Sequence, residues 1–148
     1  MDEKTDLDNI IDIYYQAWFK IGDIYHAWSK KHHINDTTLF VLYVIKETSP
    51  YCTQNKICNK LYLPKQTISL ILSGLEADGY ILRELNPADR RNKIVTFTKQ
   101  GEQYANSLLL ELKAAEIEAF SDLPKEQVQS VIDAFSILPS LLEKSLIK

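Results

Sequence analysis

The stretch TQNKICNKLYLPKQTISLILSGLEADGYILRELNPADRRNKIVTFT, residues 53–98, decides the reading of this 148-residue chain. Residues 53–61 read as a short helix with Thr53 as its N-cap and Ile57, Cys58 and Leu61 facing inward. The Tyr62-Leu63-Pro64 turn separates it from a second amphipathic segment, residues 65–78, which Gly79 stops. Two β-favouring runs follow, residues 80–85 and 94–98, joined by a basic turn at 86–93. Helix, turn, helix and basic hairpin, in that order, make a winged helix-turn-helix. Such a module lays one helix in the DNA major groove and a charged loop beside it.

Outward from this stretch the pattern is helical. Residues 6–32 carry Ile10, Ile13, Tyr14, Ala17, Trp18, Ile21, Ile24, Tyr25 and Trp28 at the 3, 4, 3, 4 spacing of one helix stripe. Asp36 or Thr37 is expected to cap a shorter helix through Glu47, with Phe40, Val41, Val44 and Ile45 inward, and Ser49-Pro50 ends it. Residues 99–119 read as a long helix with Tyr104, Leu108, Leu112, Ala115 and Ala119 on one side. A loop at 121–124 leads to a last helix over 125–147, which Pro139 should kink or break. The expected fold is therefore mostly α with a small β-hairpin wing: an N-terminal dimerisation helix (1–34), the winged module (35–99) and C-terminal dimerisation helices (100–148). The terminal helices are long and apolar for so small a module, which favours packing against a second copy of the chain.

Composition is that of an ordinary globular chain, with 45% hydrophobic and 25% charged residues. The net charge of −3 first argues against a polyanionic partner, but its distribution reverses the argument. Between Tyr51 and Gln100 lie eight basic residues (Lys56, Lys60, Lys65, Arg83, Arg90, Arg91, Lys93, Lys99) and four acidic ones (Glu76, Asp78, Glu84, Asp89). A basic middle between acidic ends is a field suited to DNA. The acidic N-terminus has no apolar signal core, and no apolar run approaches the ~18 residues that span a bilayer, so a cytoplasmic protein without membrane contact is expected. Two cysteines make no disulfide framework.

On a helical projection of residues 65–78, Ile68, Ile71, Leu72 and Leu75 fall on one face; Gln66, Ser69, Leu70 and Ser73 fall on the other. Short uncharged side chains can reach base edges: Gln bonds adenine bidentately and Leu70 can touch a thymine methyl. Arg90, Arg91 and Lys93 suit phosphates, and an arginine held by Asp89 suits a narrow minor groove. Arg83, at the hairpin base, suits either DNA or an ion pair with Asp89 or Glu84. Thr53, Gln54 and Lys56 open a helix whose free N–H groups can meet phosphate. With Lys65 and Thr67, these complete the expected DNA-binding set.

Residues 38–42 (TLFVL), 53–61 (TQNKICNKL), 65–69 (KQTIS), 75–83 (LEADGYILR) and 89–91 (DRR) through 98–101 (TKQG) resemble the MarR (multiple antibiotic resistance regulator) family of bacterial transcription factors. The resemblance implies a homodimer with interlocking terminal helices, bound to a pseudo-palindromic operator. It usually acts as a repressor and is released by a small-molecule or oxidative signal. By this resemblance Arg91 is the minor-groove residue and Asp89 its orienter. Leu70 and Gly74 stand where basic residues are common in the family, which implies fewer phosphate contacts from this helix.

For signals, the sequence offers three groups. Cys58 falls on a packed helix side, and Cys52, before an N-cap, is expected to be partly exposed. His26, His32 and His33 do not converge as an i, i+4 pair would, so no metal site and no cofactor is expected. The aromatic group around Tyr14, Trp18, Tyr25 and Trp28 could line a pocket for an aromatic or anionic effector. No phosphate loop, nucleophile elbow or paired carboxylates with His point to an enzyme. The alternative is a winged helix that binds protein instead of DNA, and Arg90, Arg91 and Lys93 weigh against it.

Overall fold

A computed structural model describes residues 3–148; Met1 and Asp2, the start of the acidic N-terminal segment, lie outside the described residues. The element order is α1 (Glu3–Lys31), α2 (Asp36–Thr48), α3 (Gln54–Leu61), α4 (Lys65–Ala77), β1 (Ile81–Asn86), β2 (Asp89–Phe97), α5 (Lys99–Ser121) and α6 (Lys125–Leu146). The chain divides into two compact units, Met1–Leu108 and Leu109–Lys148.

In the first unit, α1 ends where His33 takes a left-handed conformation, φ 58°. The Ile34 amide donates to the Ser29 carbonyl and the His33 amide to Lys30, which satisfies two of the last carbonyls. The cap of α2 is Asn35, one residue ahead of the expected Asp36 or Thr37: its Oδ1 accepts from the Thr37 and Thr38 amides. Leu39, Val41, Leu42, Val44 and Ile45 of α2 are all 0% exposed. The expected inward set missed Leu39 and Leu42, and included Phe40, which is half-buried with its ring 5.7 Å from Tyr25. The reason is that α1, α3, α4 and β2 all pack on α2, so its buried arc is wider than one stripe. Ile57, Ile68, Leu72, Ile81 and Val95 are buried as well. Each such side chain contributes about 1.5–3 kcal/mol on burial.

Helices α3 and α4 end as their sequences require. Tyr62 is left-handed at φ 55°, and the Leu63 amide donates to Cys58. Gly79, at φ 81°, lets the Tyr80 amide donate back to Leu75 and its own to Glu76. The antiparallel hairpin pairs Ile81 with Phe97, Arg83 with Val95 and Glu84 with Ile94, then shifts register so that Asn86 faces Asp89. Strand β2 therefore starts at Asp89, five residues earlier than expected. The turn is only Pro87-Ala88, closed by the Asn86 Oδ1 accepting from the Ala88 amide. Arg90, Arg91 and Lys93 lie on a strand arm rather than in a loop.

The hairpin base is tied to α5 at one point. The Thr98 hydroxyl donates to the Gly79 carbonyl at 2.6 Å and accepts from the Gly101 amide at 3.0 Å, while the Thr98 amide donates to the Tyr80 carbonyl. A Cβ on Gly101 would lie 1.7 Å from the Tyr80 oxygen, so only glycine fits there. The Tyr80 and Tyr104 rings stack at 4.5 Å beside it.

In the second unit, α6 has no buried residue, and Ile132, Phe135 (71% exposed) and Leu141 are open. Pro139 was expected to kink or break this helix, yet it does not break it: α6 runs unbroken through it. One missing donor is outweighed by the remaining hydrogen bonds of a 22-residue helix.

Two glycines separate the packing and propensity effects. Gly101→Ala is expected to lower stability by about 3 kcal/mol, because backbone and not a flexible side chain blocks the new methyl. Gly74→Ala, where a Cβ meets nothing within 4 Å, is expected to raise stability by up to ~1 kcal/mol. Thermal unfolding of the two variants against the parent measures both.

Candidate nucleic-acid interface

The interface is built where α3, α4 and the hairpin meet. Thr53 caps α3, its hydroxyl accepting from the Lys56 amide at 3.2 Å. The segment before it joins the sheet: the Val95 amide donates to the Cys52 carbonyl at 2.8 Å, and Thr53 bridges to Ile94. This addition carries Cys52 into the core, 0% exposed, against the expectation of partial exposure. Burial pushes the Cys52 thiol up, which disfavours the reactive thiolate. Cys58 is half-buried.

Gln54 donates through Nε2 to the Lys65 carbonyl at 3.2 Å and so joins the starts of α3 and α4. Helix α4 begins after Pro64 with no side-chain cap, leaving its first amides open toward solvent. Ile68, Leu72 and Leu75 point into the core, as expected, while Ile71 is half-buried. Gln66, Thr67, Leu70 and Ser73 are exposed and Ser69 is half-buried.

Arg83 does not pair with Asp89 or Glu84. Its guanidinium lies on Glu76 of α4, with Nη2 at 3.1 Å and Nε at 3.3 Å from the two carboxylate oxygens; Nη2 also reaches the Ser73 Oγ at 3.4 Å. The Gly79 turn folds β1 back along α4, which brings position 83 beside position 76. The Arg83 guanidinium holds the Glu76 carboxyl below the usual glutamate range. Asp89 acts on the backbone: its Oδ1 accepts from the Arg91 amide at 3.0 Å and its Oδ2 from the Asn92 Nδ2 at 3.1 Å. It thus sets the path of the strand at Arg91, and the Arg91 side chain stays exposed.

The result is a cleft of about 230 Å³ lined by Gln54, Asn55, Lys65, Arg83, Arg90, Arg91, Asn92, Lys93 and Val95. Six of the expected residues meet there. Asn55 of α3 and Asn92 of β2 were not anticipated, because an uncharged amide on a helix or strand carries no sequence signal of its own. The remaining expected positions, among them Gln66, Thr67, Leu70 and Ser73, do not line the cleft. Lys56 is also apart, its Nζ bonded to the Tyr51 carbonyl at 2.7 Å. With Arg83 matched by Glu76, the field of the cleft comes from Lys65, Arg90, Arg91 and Lys93. A polar, cationic cleft of this kind suits the oxygens of a nucleic-acid backbone.

The four aromatic candidates for an effector site do not form one group. Tyr14 lies 5.8 Å from Trp18, Tyr25 is against Phe40, and Trp28 stacks on His32 at 3.8 Å. The His32 Nδ1 is 2.8 Å from the Trp28 carbonyl, and the His26 Nδ1 is 3.7 Å from Asp36. Among the described residues no three His, Cys, Asp or Glu side chains gather as metal ligands, and no helix is long and apolar enough to cross a membrane.

A capped two-helix turn, an outward helix and a hairpin bordering a cationic cleft define a winged helix-turn-helix. A family model described as "MarR family" matches residues 33–92. The HTH-type transcriptional regulator YkoM of Bacillus subtilis is 26% identical over 125 residues, covering 84% of this chain and 80% of its own. Among solved structures, the DNA complex of MepR from S. aureus is similar with a TM-score of 0.74 at 20% identity, covering 86% of this chain and 96% of that one. CouR from Rhodococcus jostii RHA1 bound to p-coumaroyl-CoA is similar with a TM-score of 0.73 at 21% identity, covering 88% and 92%. Residues 33–92 thus match the MarR family of winged-helix, DNA-binding transcriptional regulators, and the curated relatives are HTH-type transcriptional regulators, not enzymes.

The Arg83–Glu76 pair gives a pH prediction. A depressed carboxyl pKa contributes stability that is fully present above the unfolded glutamate value, about 4.3, and is lost as pH falls through the folded value. The thermal midpoint of Glu76→Gln should therefore lie below the parent near neutral pH. The two should converge as pH falls below the ordinary glutamate range. A gap that stays constant on acidification would count against the pair.

Proposed function

We propose that the chain is a homodimeric repressor that binds a pseudo-palindromic operator and is released by a small aromatic or anionic effector. The observation that carries the DNA reading is the cleft joining Lys65 of α4 to Arg90, Arg91 and Lys93 of the wing. It sits beside an exposed helix face of Gln66, Thr67, Leu70 and Ser73. In this reading the helix face enters the major groove, the wing arginines take phosphate and minor-groove positions, and Asp89 orients Arg91 through its backbone. The solved DNA complex of the structurally similar MepR supports it.

Dimerisation is proposed from the uncovered apolar faces. On α1, Ile10, Ile13, Trp18 (58% exposed), Ile21 and Ile24 stand open, and on α6 so do Ile132, Phe135 and Leu141. Apolar area of this kind is ordinarily covered by a partner. Residues 1–34 and 100–148 would then be the dimerisation elements on either side of the winged module at 35–99. For the effector, half-buried Tyr14 with exposed Tyr15, Trp18 and Phe19 offers a ladder of aromatic surface, and similar CouR is bound to p-coumaroyl-CoA. A regulator of chromosomal DNA works in the cytoplasm.

A mobility shift on the DNA upstream of the chain's own gene, with nonspecific competitor, tests the operator reading. A competitor-resistant shift is expected. Failure there and in selection from random duplexes would overturn it. Light scattering should give twice the chain mass of 17.1 kDa. Arg91→Ala should weaken binding to most sequences and lower the log–log salt slope by about 1. Gln66→Ala should cost about 1–3 kcal/mol at the cognate site and relax sequence choice.

A further inference from the structure

We infer that Leu70 is a specificity determinant that reads a thymine methyl, so that each operator half-site carries an A·T pair opposite the middle of α4. This rests on the DNA-binding reading above and deepens it. The cations of the interface stand on the cleft, at the start of α4 and on the wing. From Gln66 to Gly74 the exposed face of α4 has no cation. Guanine is ordinarily read through O6 and N7 by a bidentate Arg or Lys, and this face has none to offer. Cytosine presents an N4 donor that a carboxylate accepts; Glu76 is occupied by both sides of the Arg83 fork, and Asp78 stands more than two turns past Leu70, at the C-cap of α4. What remains fits A·T pairs: an amide at Gln66 for adenine and an aliphatic side chain at Leu70 for the thymine C5 methyl.

The local geometry supports a protruding apolar reader. Leu70 is 77% exposed, the most exposed large apolar residue of α4. The position one turn on, Gly74, has no side chain, and a Cβ built there would meet nothing within 4 Å. Ser73 is short, and its hydroxyl is held by Arg83. Leu70 therefore stands above a low surface, where a groove floor can approach it closely. An exposed aliphatic side chain set against the polar edge of a G·C pair would desolvate groups it cannot bond; against a methyl it buries apolar area on both sides.

The test uses operator duplexes obtained by selection from random DNA with the full chain. Each thymine of one half-site is replaced in turn by deoxyuracil, which removes the C5 methyl alone. One replacement should weaken parent binding about fourfold, the worth of one buried methyl-sized group. Leu70→Ala, at an exposed position and with unfolding unchanged, should bind the parent operator more weakly and lose the distinction between the thymine and deoxyuracil duplexes. Its salt slope should match the parent's. Indifference of the parent to every replacement would overturn the inference, as would discrimination retained by Leu70→Ala. A half-site with G·C pairs throughout its core would do the same. A selection that enriches nothing would instead remove the DNA reading itself.

Discussion

Burial of α2 beneath four other elements is the constraint from which the rest of the winged module follows. Five of its side chains are fully removed from solvent, and α1, α3, α4 and β2 all pack on it. Helix α4 must spend Ile68, Leu72 and Leu75 on this core, so its opposite face has to look outward. The face proposed for recognition is thus a by-product of packing. Once the apolar stripe is committed inward, the identity of Gln66, Thr67 and Leu70 is free to be set by what lies outside.

The second constraint is angular. In the proposed DNA reading, a hairpin that swings relative to α4 could not present its cations in step with a helix in the groove. Three fastenings prevent that swing. Arg83 grips Glu76 and Ser73, the Cys52 carbonyl takes the Val95 amide, and Thr98 bonds both Gly79 and Gly101. An ion pair as open as Arg83–Glu76 adds little to global stability. Its forked geometry fixes direction instead, which is the property the interface needs.

The order of elements could be read from residues whose chemistry acts locally. Thr53 caps, Gly79 turns left-handed and the Tyr62-Leu63-Pro64 turn ends a helix, all within a few residues of their effect. Misreadings arose where tertiary packing decided. One helix stripe takes in Val41, Val44 and Ile45; Leu39 and Leu42 lie off it and are buried because several elements cover α2. The partner of Arg83 depends on how a turn folds β1 along α4. Cys52 is buried because its segment joins a strand more than forty positions later. The early start of β2 reflects side-chain turns at Asn86 and Asp89 that mimic strand hydrogen bonding. Along the aromatic stripe of α1, Tyr14 and Trp18 stay together while Tyr25 meets Phe40 and Trp28 meets His32, a division that periodicity does not show.

The bridge between Thr53 and Ile94 also bears on solubility. A two-stranded ribbon projecting from a protein has two open edges, and each is a template on which a foreign strand can grow. Here the outer edge of β2 near Ile94 and Val95 is already occupied by the Cys52–Thr53 segment. The outer edge of β1 is six residues long and carries Arg83 and Glu84. Its tip holds Pro87, which has no amide to donate. The basic arm therefore projects from a base whose β2 edge is already partly taken by the chain itself.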